Sequence, residues 1–123
     1  KKRLATVRLV SARKEQPGVL VDLLFASSGI EREIVEAAER IEVWNAVVLP
    51  VAVLGHLIAL KVLARNDKTR PQDAVDLHAL LSVADDSEIE RARQAVLLIA
   101  KRGYNREKNL LAQLEAFVQE DRA

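Results

Sequence analysis

Three sets of residues carry side chains able to do chemistry, in places that an ordinary surface role does not fully explain. Asp22 interrupts an otherwise apolar run, Val19-Leu20-Val21 before it and Leu23-Leu24-Phe25 after it. An ionised carboxylate is tolerated in apolar surroundings only when it is paired or holds a metal. Asp22 therefore reads either as a metal ligand or general base projecting from a strand into a cleft, or as an edge-strand carboxylate. In the second case it faces solvent or pairs with an arginine such as Arg8. Lys61 shares a helical face with Leu54, Leu57 and Ala64, so its stem is expected to be buried. Its ammonium then either snorkels out or meets an anion. His56, on another face, reads as a core or rim histidine. The third set is Arg70-Pro71-Gln72-Asp73-Ala74-Val75-Asp76. Asp73 and Asp76 are neighbours on one helical face near its N-terminus, where the helix dipole alone favours carboxylates. A lysine from one helix and two aspartates from the next can meet across a helix–helix contact, serving either a binding site or the fold itself.

The elements that must position these residues follow from periodicity and punctuation. Leu4 to Val10 alternates with period two, and Val19 to Phe25 is apolar on both faces. With Pro17-Gly18 between them, the two runs read as a hairpin whose second strand lies inside a covered sheet. Ser28-Gly29-Ile30-Glu31 has the spacing of a capping box, in which the Ser28 hydroxyl accepts from the helix and Glu31 reaches back. Ile41 to Trp44 and Val47 to Leu49 form a further extended stretch, broken at Asn45-Ala46 and ended by Pro50. From Val51 to Arg65 the chain is apolar nearly all round, as in a buried helix. A hydropathy window there tempts a membrane reading, but Pro50, Gly55, His56 and Lys61 weigh against it. Pro71 opens the next helix, Asp85-Asp86-Ser87-Glu88 another, and Gly103 stops it. Asn105 is expected to cap a last helix built on Leu110, Leu114, Phe117 and Val118. The fold class is α+β: a short mixed or antiparallel sheet over residues 1–50, then a bundle of about four helices over residues 51–123.

Composition narrows the chemistry. Nineteen Lys and Arg against eighteen Asp and Glu argue against a broad basic footprint for nucleic acid. With no Cys there is neither a disulfide framework nor a thiolate metal site. Two His cannot make a His-rich centre, and one Trp, one Tyr and two Phe are too few for base-stacking platforms. No signal-peptide h-region follows Lys1-Lys2-Arg3, so no membrane association and a cytoplasmic location are expected. The chain contains no Met and opens on Lys1, which is not a small residue, so it is expected to be part of a longer protein.

Three blocks, in this order, resemble one family: Val21-Asp22-Leu23-Leu24-Phe25-Ala26-Ser27-Ser28-Gly29-Ile30-Glu31, Gly55 to Arg65, and Arg70-Pro71-Gln72-Asp73-Ala74-Val75-Asp76-Leu77. Together they are similar to the bacterial minimal nucleotidyltransferases of the polymerase-β-like superfamily, in the branch of the abortive-infection (AbiEii-like) toxins. The resemblance covers roughly residues 4 to 118. It implies that the sheet is the remnant of a nucleotidyltransferase fold and that Asp22 is the third catalytic, metal-binding carboxylate. Lys61 then approaches the nucleotide phosphates, and Arg70, Asp73 and Asp76 contact the nucleotide or support the site. Two Mg²⁺ ions would align a hydroxyl of an RNA 3′ end or a protein with the α-phosphate of a nucleoside triphosphate. The resemblance also implies an antitoxin as partner.

The departure from the family pattern is large. The Gly-Ser and Asp-x-Asp motifs that supply the other two carboxylates are absent from this sequence, and Asp85-Asp86 merely opens a helix. The expectation is thus the C-terminal part of a nucleotidyltransferase, inactive alone, in which Mg²⁺ belongs only to a completed site. The alternative is a non-catalytic helical interaction or regulatory module. An open sheet edge would make a homodimer possible in either case.

Overall fold

The computed structural model describes residues 6–10, 20–24, 26–66 and 68–122. Strands β1 (Thr6–Val10) and β2 (Leu20–Leu24) pair antiparallel, with Arg8 opposite Asp22 in the register. The turn expected at Pro17-Gly18 lies outside the described residues. Among those described, β2 has β1 as its one partner, and Leu23 is half exposed. Among the described residues β2 is thus an edge strand, not the expected interior one. A run apolar on both faces reports the side chains' preference, not how many strands flank it.

Helix α1 (Glu31–Ala37) leads into a second hairpin, β3 (Glu39–Trp44) and β4 (Val47–Val51). Asn45-Ala46 make its two-residue turn, Ala46 has φ of 61°, and the Ala46 N–H donates to the Glu42 carboxylate at 2.8 Å. Pro50 sits within β4 opposite Arg40 instead of ending the strand. A two-stranded sheet has only edge strands, where a residue without an N–H is tolerated. Every residue of β3 is exposed.

The core lies in the helical part: α2 (Leu54–Ala64), α3 (Gln72–Val83), α4 (Asp86–Lys101) and α5 (Leu110–Arg122). Together these four helices and the two hairpins give the expected α+β architecture. Helix α2 is the hub, packed against each of the other three. Its Ile58 and Val62 meet Leu77 and Leu81 of α3, Ile99 of α4 and Leu114 of α5 in one cluster from which solvent is excluded. Each such side chain contributes about 1.5–3 kcal/mol by burial. Gly55 lets α4 approach: a Cβ there would stand 2.6 Å from the Glu88 carbonyl oxygen and 2.8 Å from Arg91 Cβ.

Three helix starts show how tertiary contacts redirect local signals. Asp85 caps α4 by accepting from the Glu88 N–H at 2.9 Å, but the Glu88 carboxylate accepts from the Gly55 N–H at 2.6 Å and not from its own cap. At α1, Ser28 is not the expected acceptor cap. Its hydroxyl donates to Glu31 at 2.8 Å and accepts only a 3.3 Å bond from the Ile30 N–H. Asn105 does not cap α5; its side-chain amide donates to the Lys108 carbonyl at 3.0 Å. Arg106 and Glu107 follow with φ of 54° and 61°, which no right-handed helix contains, so α5 starts only after Asn109. The Asn109 side chain accepts from the Ala112 N–H at 3.1 Å. No helix of the described residues is long and apolar enough to cross a membrane.

Candidate functional site

The site grows from the reversal between α2 and α3. The Asn66 side chain accepts from the N–H groups of Lys68 and Thr69 at 3.1 and 3.4 Å, and the Arg70 N–H donates to the Asn66 carbonyl at 2.6 Å. This tight loop sets the last turns of α2 beside the first turns of α3. Lys61 Nζ consequently reaches Asp73 Oδ1 at 3.2 Å and Asp76 Oδ2 at 2.9 Å. Gln72 Nε2 donates to the other oxygen of Asp76 at 3.1 Å. Arg70 Nε lies 3.1 Å from Asp73 Oδ2, close enough for charge attraction but not aligned as a hydrogen bond. The Asp73 side chain is only 3% exposed, so its carboxylate depends on these two cations for compensation.

The electrostatics follow the geometry. Hydrogen bonding to Asp76, then to Asp73, outweighs desolvation and holds Lys61 above the usual lysine pKa. In return the Lys61 ammonium, helped by Gln72, holds the Asp76 carboxyl below the usual aspartate value. A lysine secured as a cation between two carboxylates is fixed in position, with one of its three N–H donors left for another acceptor.

Lys61 and Asp76 open onto a cleft of about 730 Å³, within the size range of small-molecule sites. Leu57, Leu60, Ala64, Ala79 and Leu80 form its apolar walls, together with Ile34 of α1. Arg70 stands at the rim beside Lys61. The rim also includes Ser27 and Ser28 from the loop before α1, Glu31 at the first position of α1, and Arg106 from the connection between α4 and α5. The Glu31 carboxylate accepts from the N–H groups of Ser27 and Ser28, both at 2.7 Å, and from the Ser28 hydroxyl. Burial pushes its pKa up, but these hydrogen bonds together win and hold it below the usual glutamate value.

This loop is strapped to the far end of α4. Gly29 has φ of 76°, and a Cβ on it would stand 2.5 Å from Cδ2 of Tyr104, so only glycine satisfies both turn and contact. Arg102 Nη1 donates to the Gly29 carbonyl and to Glu33 Oε1, both at 2.6 Å. Arg106 Nη2 donates to the Ser27 hydroxyl at 3.0 Å. Lys108 Nζ donates to the carbonyls of Leu63 and Arg65 at 2.8 and 2.7 Å, covering the C-terminal end of α2.

Of the residues expected from sequence, Lys61, Arg70, Asp73 and Asp76 thus stand together. Asp22 occupies the middle of β2 opposite Arg8, and its side chain lies outside the described part of the structure. Among the described residues no three His, Cys, Asp or Glu side chains gather where they could hold a metal ion. His56 is a core residue, 6% exposed. Burial, then the nearby Arg91, depress its pKa against the opposing pull of Glu88 and Glu33. Sequence reasoning missed Arg106 and the Ser27–Glu31 rim. Nothing local announces a contact across 79 positions of sequence, although Gly29 and Gly103 mark the two turns that make it.

A family model described as nucleotidyl transferase AbiEii toxin, Type IV toxin–antitoxin system, matches residues 4–123. No curated protein matches the chain.

Proposed function

Since the chain belongs to the AbiEii nucleotidyl transferase toxin family of type IV toxin–antitoxin systems, we propose that its α2–α3 face grips the nucleoside triphosphate in a nucleotidyl-transfer site. One observation carries this reading: Lys61 is held at 2.9 and 3.2 Å by Asp76 and Asp73 at the wall of a cleft of about 730 Å³. The two carboxylates orient the ammonium, which keeps donor capacity for a phosphate oxygen. Arg70 adds a second cation, and the apolar walls suit a base and sugar. In the transfer, an acceptor hydroxyl oxygen bonds to the α-phosphorus and gives up its proton to solvent, the bond to the bridging oxygen of the β-phosphate breaks, and pyrophosphate leaves. Lys61 and Arg70 counter the charge that builds on the departing phosphates. The acceptor is an RNA 3′ end or a protein hydroxyl, and the family supports an antitoxin as partner.

Asp22 is the carboxylate this chain would bring to a Mg²⁺ pair. The Gly-Ser and Asp-x-Asp residues that would complete the pair are not in this sequence. The chain alone is accordingly a binding half without transfer activity. A second reading, a non-catalytic interaction module or a homodimer, is favoured by the exposure of Ile41, Val43 and Leu49 on the second hairpin.

Titration of the chain with a fluorescent nucleoside triphosphate separates the readings. Saturable binding that Lys61→Met weakens about tenfold or more supports the nucleotide grip. Absence of binding, or full binding by a Lys61→Met protein with native circular dichroism, refutes it and leaves the interaction module. Incubation of the pure chain with Mg²⁺, labelled nucleoside triphosphates and total RNA or candidate proteins is expected to give no labelling. Robust labelling would overturn the claim that this half is inactive alone.

A further inference from the structure

The charges around the cleft are unequally committed. Lys61 is engaged by two carboxylates, Arg70 stands against Asp73, Asp76 is taken by Lys61 and Gln72, and Glu31 is taken up by the serine N–H groups. Arg106 differs. Among the described residues its guanidinium has a single partner, the neutral Ser27 hydroxyl at 3.0 Å. Four of its five N–H donors and its whole charge are unspent at the rim of an apolar cleft.

Its position is also built at a cost. Arg106 and Glu107 are successive non-glycine residues at φ of 54° and 61°. Left-handed backbone is unfavourable for such residues and persists where surrounding contacts over-determine it. Those contacts are present on both sides: Arg102 on Gly29 and Glu33 before the pair, Lys108 on the carbonyls ending α2 after it. The backbone at Arg106 is fixed relative to α2 by these contacts, while its side chain lines the cleft beside Ser27. A fixed base, a planar fork of donors and no carboxylate partner are what recognition of a phosphate needs.

We propose that Arg106 is a phosphate-binding residue of this cleft, which it lines together with Lys61, and that it contacts the polyphosphate of a nucleoside triphosphate. The proposal rests on the reading of the cleft as a nucleotide site and adds to it a residue outside the three sequence blocks that carry the family resemblance. Arg106 thereby distinguishes nucleotides by their phosphate tail and leaves the base and sugar to the apolar walls.

The test uses the full chain as wild type, Arg106→Met, Arg106→Lys and Lys61→Met, each titrated with a nucleoside triphosphate, the matching nucleoside and inorganic tripolyphosphate. Arg106→Met is expected to weaken the triphosphate and tripolyphosphate about tenfold and leave the nucleoside unchanged, since one charge-assisted contact is worth about that factor. Arg106→Lys should recover part of the loss, because the charge returns without the fork. Circular dichroism melts check that the variants remain folded. Wild-type binding of the triphosphate that Lys61→Met weakens and Arg106→Met does not would overturn this inference alone. If wild type binds neither phosphate probe, the inference fails together with the nucleotide reading beneath it. An equal loss of nucleoside and triphosphate in a folded Arg106→Met protein would also overturn it, since the residue would then shape the cleft and not read phosphate.

Discussion

Replacing Lys61 by Met tests how the α2–α3 network is held. The change keeps the stem's apolar packing and removes the ammonium, leaving Asp73, 3% exposed, with Arg70 as its ion-pair partner among the described residues. Stranding a buried charge in this way typically costs about 3–5 kcal/mol. Lys61 itself is 32% exposed and Arg70 remains 3.1 Å from the second oxygen, so about 1.5–3 kcal/mol is expected here. That is a large share of a stability of about 5–15 kcal/mol. With a urea m-value of about 1–3 kcal/mol per molar, the midpoint should fall by about 1 M. The second step is Lys61→Met/Asp73→Asn. Neutralising the stranded carboxylate should return part of the loss, giving a coupling of about 1–2 kcal/mol between the two positions. Acidity should act in the same direction. Lys61 holds Asp76 below the usual aspartate value, so that stabilisation is complete above about pH 4 and is lost as pH falls through the depressed value. The gap between wild type and Lys61→Met should therefore narrow in acid. Equilibrium unfolding followed by far-ultraviolet circular dichroism measures all of this. Strict additivity of the two substitutions, or a Lys61→Met midpoint within error of wild type, would refute the account of a mutually dependent network.

Two further outcomes follow from the packing of α2 on α4. Gly55→Ala should lower the melting temperature: overpacking against the Glu88 carbonyl, 2.6 Å from the new Cβ, costs about 1–3 kcal/mol and exceeds the propensity gain of at most about 1 kcal/mol. A rise in melting temperature would show that the helices separate without penalty. His56 is buried with its pKa depressed, so the unfolded chain takes up the proton first, and stability should decline as pH falls below about 6.5 and on through the folded value. Urea midpoints at a series of pH values, compared with His56→Gln, should show a flatter profile in the variant, and identical slopes would exclude His56 as the source.

How much could be read from the chain depended on the range of the signals. Lys61, Asp73 and Asp76 were legible together because they lie within sixteen positions, and a single tight turn between two helices leaves little choice of pairing. Asp85 was legible as a cap, since that bond is closed within three residues. The Glu88 carboxylate was not, because a partner 33 positions away outbid the local one. Asn105 was misread for a related reason: helix-start spacing says nothing about the left-handed pair that follows, which is stabilised by contacts to α1 and α2. Arg106 has no local sequence signal, because its partner Ser27 lies 79 positions away. The interior position expected for β2 is not seen among the described residues, since strand count is a property of the whole sheet and not of one run.

The covering of the C-terminal end of α2 by Lys108 has a kinetic meaning as well. A helix surrounded by three others, with its terminal carbonyls bonded by a side chain from the α4–α5 connection, has no cheap way to fray. Its amides should exchange with solvent only through global opening, whereas the exposed second hairpin opens locally and exchanges early. Lys61 therefore sits on the last segment to open. The Lys61 ammonium is thus carried on backbone that local opening elsewhere in the molecule does not disturb.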